Sequence, residues 1–135
     1  MEKVSKSFFK DSYHITELKL CSVRLINNCN FPWIILIPKR KKIKDILELK
    51  KKDQILLIQE IVYTSKVMKK TFKAFNLNVE KIGNVVSQLH IHIIARSKKD
   101  CSWPLSVWVV KKKNYSIRNL NKTILKLQEA IIRKK

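Results

Sequence analysis

Residues 88–94 read Gln88-Leu89-His90-Ile91-His92-Ile93-Ile94, the stretch of the chain whose residue types are most specific for chemistry. Successive side chains of a strand point to opposite faces, so Gln88, His90 and His92 share one face. Leu89, Ile91 and Ile93 occupy the other and are expected in the core. A neutral imidazole is a nucleophile and, near neutral pH, a proton donor or acceptor. The glutamine amide offers hydrogen-bonding groups without titrating. The same spacing also fits a solvated polar face, or a pair of metal ligands, because zinc sites often use two histidines. A third ligand would have to be His14, Cys101 or a distant acid, and no motif spacing supports one, so no metal and no cofactor is expected.

The elements that would position this face can be read from periodicity. A strand is expected near residues 14–18. A second is expected over 20–26, where Cys21, Val23 and Leu25 recur at period two. Asn27-Asn28-Cys29-Asn30 has turn chemistry. The β-branched run 33–37, between Pro32 and Pro38, is a buried strand that forms an antiparallel hairpin with the preceding one. After a basic loop at 39–42 and a helical turn at 45–49, Asp53 is expected to cap a long helix reaching about residue 75. Ile55, Ile58, Ile61, Val62, Met68 and Phe72 would form its core stripe. Asn76-Leu77-Asn78 breaks that helix, and Leu77 and Val79 make a short strand before Gly83-Asn84. Residues 88–95 are the best strand in the chain. A Trp- and Pro-containing loop at 101–110 leads to an amphipathic helix at 116–132 carried by Ile117, Leu120, Ile124, Leu127 and Ile131. Strands, a middle helix, more strands and a terminal helix make an α+β fold with an antiparallel sheet.

In this setting the sequence resembles the histidine triad (HIT) family, whose signature is His-φ-His-φ-His-φ-φ with φ apolar. Here Gln88 stands at the first position, giving a Gln-His-His variant. The likeness extends in order through Leu25-Ile26-Asn27, residues 31–38, residues 83–90, Ala95-Arg96, and Asp100-Cys101-Ser102-Trp103-Pro104 leading to Val107-Trp108. It points to the bacterial branch with Gln at the first triad position and a Trp-Pro loop after the third. Ser87 and Ser106 replace prolines of that pattern, Asn28 and Asn30 replace an Asp and a basic residue, and Val109 replaces a Gly.

The resemblance implies a HIT-like fold, a five-stranded antiparallel sheet with one long central helix and a C-terminal helix. It also implies a homodimer and chemistry at a nucleotide α-phosphate. His90 would attack phosphorus to form a covalent nucleotidyl-histidine, and His92 would hydrogen-bond the phosphate or leaving oxygen. Asn84 and Gln88 would contact phosphate, Asn27 the ribose, and Trp33 could stack on a base. The expected function is a nucleotide hydrolase, of the diadenosine polyphosphate hydrolase kind, or a nucleotidyl transferase, acting on dinucleoside polyphosphates or nucleotide conjugates, with pyrophosphate, phosphoramidate and sulfate-ester leaving groups all fitting. The alternatives are a non-catalytic nucleotide-binding HIT-fold protein and a basic nucleic-acid-associated protein.

Composition bounds these readings. The 135 residues make one domain, and 45% hydrophobic with 30% charged residues describes a globular chain. Thirty Lys+Arg against ten Asp+Glu give a net charge of +20, a field that attracts any polyanion. The excess is mostly Lys, accompanied by abundant Ile and Asn and a single Gly, the mixture an AT-rich genome would produce. Aromatics are not interleaved with the lysine runs 39–42 and 111–113, so no specific nucleic-acid partner is expected. No run reaches the roughly 18–20 apolar residues of a membrane helix, and no secretory leader pattern is evident. Cys21, Cys29 and Cys101 are an odd count without a CxxC pair, as expected of thiols in a cytoplasmic protein.

Overall fold

The structure, a computed structural model, describes residues 3–133. Its elements are β1 (Ser12–Glu17), β2 (Cys21–Ile26), β3 (Trp33–Pro38), α1 (Lys51–Thr71), β4 (Asn76–Glu80), β5 (Ile91–Arg96) and α2 (Ile117–Arg133). Short 3-10 turns occupy Lys6–Phe9, Ile46–Glu48 and Val107–Val109. The five strands form one sheet in the order β1-β2-β3-β5-β4, with every neighbouring pair antiparallel. The expected α+β architecture with a five-stranded antiparallel sheet and two helices is thus the observed one. The hairpin of β2 and β3 pairs Leu25 with Ile34 and Val23 with Leu36.

Alternation along the central strands separates two cores. Val23, Leu25, Ile34, Leu36, Ile91 and Ile93 pack in the main core with Leu57, Val67 and Met68 of α1 and Leu127 and Ile131 of α2. Helix α2, which follows β5, thus contributes to the same core as the sheet. On the opposite face, Phe31, Trp33 and Ile94 pack with Val107, and Ile35 and Ile37 pack with Phe8. That second face carries His92, opposite Ile35 in the β3–β5 register.

Helix α1 differs from the expectation in its start, its end and its buried face. It begins after Lys50, which makes no side-chain cap, and Asp53 lies inside the first turn. The Asp53 carboxylate instead takes a forked pair of hydrogen bonds from Arg40, at 2.7 and 3.1 Å. The helix stops at Thr71 because Lys73 turns left-handed (φ 50) and the Ala74 N–H reaches back to the Lys69 carbonyl, 3.0 Å. Asn76 therefore opens β4 rather than breaking the helix.

The side of α1 that faces the sheet holds Asp53, Leu57, Glu60, Thr64, Val67 and Met68, whereas Ile55, Ile58 and Val62 are exposed. Their assignment to the core is corrected by the polar anchors that α1 turns inward. Glu60, buried, accepts the N–H groups of Leu20 and Cys21 at 2.8 Å each and so closes the turn between β1 and β2. Apolar periodicity alone cannot register a helix whose inward face includes carboxylates. In α2, Leu127 and Ile131 are buried as expected, whereas Ile117 is exposed.

Strand β5 starts at Ile91, three residues later than expected. The Leu89 N–H donates to the carbonyl of Ile43 (2.9 Å), in the loop after β3, rather than to a strand neighbour. Gln88 consequently sits in an irregular approach to the strand.

Candidate active site

The best formed cleft opens on the second face of the sheet and has a volume of about 540 Å³. His90, His92 and Trp33 form its floor, Asn84 and Val85 come from the loop before β5, and Trp108 from the loop after it. His90 and His92 are largely buried, at 7% and 5% exposure. Their ring centroids lie 4.9 Å apart. Phe8 abuts the His90 ring edge-on at 4.9 Å.

The partners of the two imidazoles set opposite tautomers. His90 Nδ1 lies 2.7 Å from the backbone carbonyl of Gln88, an acceptor only, so it carries the proton. Its Nε2 then keeps a lone pair. Trp33 Nε1–H, a donor only, lies 3.0 Å from His92 Nδ1, which must accept. Neutral His92 therefore carries its proton on Nε2. A nitrogen lone pair and a ring N–H are thus supplied by adjacent side chains, each held by a partner that cannot reverse its role.

Electrostatics keep both rings neutral. Burial lowers the His90 pKa below its ordinary value, and nearby Lys81 adds to this, against the Gln88 carbonyl and Asp11, which act upward. Burial, reinforced by repulsion from His90, pushes His92 down to about 4. The unfolded chain takes up a proton near pH 6.5 that folded His92 refuses until about 4. Stability therefore falls as pH falls through that window, by about 3 kcal/mol for His92 alone. His92→Asn should lose that share of the acid sensitivity, read from urea midpoints at pH 7 and pH 4. An equal fall in both proteins would show that His92 is not the group being titrated.

The structure brings His90, His92, Trp33 and Asn84 to one cleft. Asn84 stands exposed at the rim, and its side chain makes no hydrogen bond to another described residue. Gly83 before it has φ +72, a backbone that L side chains rarely adopt.

Two expected contacts are turned elsewhere. The Gln88 amide donates to the Lys3 carbonyl and accepts the Ser5 N–H, both at 2.7 Å, so it ties down the N-terminal segment instead of facing the histidines. The Asn27 side chain accepts the Tyr115 N–H at 2.9 Å, and it is Asn28 that lines the cleft. Trp33 is 4% exposed and in edge contact with Trp108, so its clearest role is to orient His92.

Asp11, Phe8 and Lys112 also line the cleft, and no periodicity or motif in the sequence signals them. They arrive through the N-terminal 3-10 turn and the segment before α2. The turn is held by the Ser12 hydroxyl, which donates to the Phe8 carbonyl, and by Arg24, which donates to Ser12 at 2.7 and 2.8 Å. Among the described residues, no group of three or more His, Cys, Asp or Glu is placed to hold a metal ion. No described helix is long and apolar enough to cross a membrane.

Comparison with known proteins agrees with this architecture. The profile of the HIT domain matches residues 8–99. A histidine triad protein from Sinorhizobium meliloti is 34% identical over 94% of this chain and 95% of its own, with a TM-score of 0.90. One from Marinobacter aquaeolei is 32% identical over 100% of this chain and 99% of its own, with a TM-score of 0.93. A hypothetical histidine triad nucleotide-binding protein from Sulfolobus tokodaii shares the fold at 20% identity, covering 94% of this chain and 88% of its own, with a TM-score of 0.71. No curated protein matches the sequence significantly. With a family profile spanning more than half of the chain and close structural relatives along its full length, this protein belongs to the HIT domain family.

Proposed function

We propose that this single HIT domain is a cytoplasmic nucleotide hydrolase or nucleotidyl transferase acting at an α-phosphate. In this reading Gln88, His90 and His92 occupy the three triad positions. The observation that carries it is the pair of opposed tautomers in one cleft: His90 Nε2 with a free lone pair, beside His92 Nε2–H. The lone pair attacks the α-phosphorus. The bond from phosphorus to the bridging oxygen breaks, and that oxygen leaves with the electron pair. The resulting nucleotidyl-His90 keeps its Nδ1–H on the Gln88 carbonyl, which stabilises the positive charge that the ring acquires. Water, or the hydroxyl of an acceptor in a transferase, then attacks phosphorus and loses its proton to solvent, and the P–N electron pair returns to Nε2. His92 Nε2–H and the Asn84 amide supply donors to the equatorial oxygens, where charge spreads in the transition state. Gln88 contributes through its main-chain carbonyl and by tethering the segment that places Phe8 against His90.

The test is incubation with a panel of adenylylated compounds and measurement of nucleotide monophosphate release. Release from at least one compound supports the reading. Binding without release would favour a nucleotide-binding protein without catalysis. Asn84→Ala should weaken nucleotide monophosphate more than free nucleoside, by about 1.5–3 kcal/mol for a hydrogen bond to a charged group. Equal losses would remove Asn84 from the phosphate.

A homodimer belongs to the same proposal. Ile55, Ile58 and Val62 are 54%, 57% and 47% exposed and, at spacings of three and four, share one face of α1. β4 is an edge strand of the sheet with an exposed Val79. An apolar helix face and an open strand edge are surfaces that a second copy would cover.

A further inference from the structure

Strand β4 presents Asn78 and Glu80 on the second face of the sheet, the face that carries His92. Each holds part of the loop that follows β5. Asn78 accepts a hydrogen bond from Arg96, whose guanidinium also holds the Leu105 carbonyl. Glu80 stands directly opposite His92 in the β4–β5 register. Its Oε1 accepts the Trp108 indole N–H at 3.0 Å. The chain has thirty Lys+Arg, yet among the described residues the carboxylate of Glu80 takes the indole as its one hydrogen-bond partner.

Trp108 is a side chain that needs such a partner. It is 51% exposed, on a short 3-10 turn anchored by buried Val107. Its ring lies 5.3 Å from His92 and 5.0 Å from Trp33, with interplanar angles of 88° and 90°. Trp33 and His92 are the two partners of the bond that fixes the His92 tautomer, so Trp108 covers both. A half-exposed side chain keeps rotamer freedom in water. A directional bond to a charged acceptor selects one position from among them.

We infer that Glu80 is a positioning residue, which holds the Trp108 indole across Trp33 and His92 and so shields the His92 ring from water and keeps it an oriented Nε2–H donor. The inference rests on the function proposed above only in its effect on rate. Glu80 acts through Trp108, and its charge would act on His92 in the opposite sense. Strand β3 presents apolar Ile35 to His92. The titratable and charged groups that share the cleft with it are His90, Asp11 and Lys112, and Glu80 faces it from β4. Burial is the main cause of the low His92 pKa. Uncovering the ring therefore raises that pKa, whereas removing a neighbouring carboxylate lowers it.

NMR titration of His92 separates the two. In Glu80→Ala its pKa should rise from about 4 toward the ordinary 6.5, by about one pH unit. In Glu80→Gln, whose amide oxygen still accepts the indole N–H, it should stay at the parent value or fall slightly. Trp108→Phe keeps a ring but lacks the donor, so the pKa should rise there too, and adding Glu80→Ala should raise it no further. Glu80 is half-buried on an edge strand, so these variants should fold, which circular dichroism checks. With an adenylylated compound that the parent turns over, kcat should fall about tenfold in Glu80→Ala while KM stays within about twofold. Glu80→Gln should recover most of that loss. The titration needs no turnover, so it decides the role of Glu80 even if the hydrolase reading fails. A lower His92 pKa in Glu80→Ala would mean that the carboxylate acts by charge alone. An unchanged one would mean that Trp108 keeps its place unaided. Either result overturns the inference, as does an equal rise in Glu80→Gln.

Discussion

His90→Ala should abolish the proposed nucleotide release, by about 10⁴-fold or more, while affinity for nucleotide monophosphate stays within a few fold. The expectation follows from the geometry of one nitrogen. In the proposed reaction His90 Nε2 forms a bond only as the reaction proceeds, so its removal would be felt in the transition state and hardly in the bound ground state. The ring is buried and packed against Phe8, so truncation also leaves a cavity and some loss of stability is expected. His90→Asn separates the two effects, because its amide can still donate to the Gln88 carbonyl while lacking the nucleophile. Both variants should be folded by circular dichroism and inactive. Turnover by either within tenfold of the parent would exclude nucleophilic catalysis by this residue.

The largest effect on stability is expected at Asp100→Ala, about 3–5 kcal/mol. Arg96 is among the fully buried side chains, and its Nε and Nη2 donate to the Asp100 carboxylate at 2.8 and 3.1 Å. Burial alone would push the Asp100 carboxyl up. The Arg96 guanidinium and the N–H groups of Ser97 and Ser102 outweigh it and hold the carboxyl at about 2. Removing the carboxylate leaves a buried cation uncompensated.

Because the folded pKa lies below the ordinary value of 3.8, the stabilisation is present above about pH 4. It is lost as pH falls toward 2, where the folded carboxyl also protonates. Urea unfolding at pH 7 measures the main effect. Arg96→Met/Asp100→Leu should recover much of the loss, since well-packed apolar groups can replace a buried pair. A loss below 1 kcal/mol for Asp100→Ala would show that the pair is not a structural anchor. Function should suffer too, because Arg96 Nη2 also holds the Leu105 carbonyl at 2.8 Å. That bond fixes the loop carrying Val107 and Trp108 against the cleft.

Much of this arrangement was legible in the sequence because short-range rules govern it. The alternation of residues 89–93 correctly sends Leu89, Ile91 and Ile93 into the main core. The same alternation places His92 on the other face, with His90 beside it at the cleft floor. The two prolines and the β-branched run between them located β3 almost to the residue. Positive φ at Gly83 accords with the only glycine in the chain.

Long-range hydrogen bonds decided the rest, and these leave no periodic trace. Gln88 left the histidine face because its amide found the backbone of Lys3 and Ser5, more than 80 positions away. Asn27 turned to Tyr115 for the same reason. Glu60 and Asp53 occupy the inward side of α1 because a turn and an arginine required carboxylates there, leaving three apolar residues outside. Most consequential for chemistry, the protonation site of each imidazole depends on one partner: a carbonyl for His90 and an indole N–H from another strand for His92. Sequence alone determined that His90 and His92 share one face, since that follows from backbone period. Tertiary structure alone decided which nitrogen holds the lone pair, because a hydrogen bond is directional and its partner is chosen by the fold.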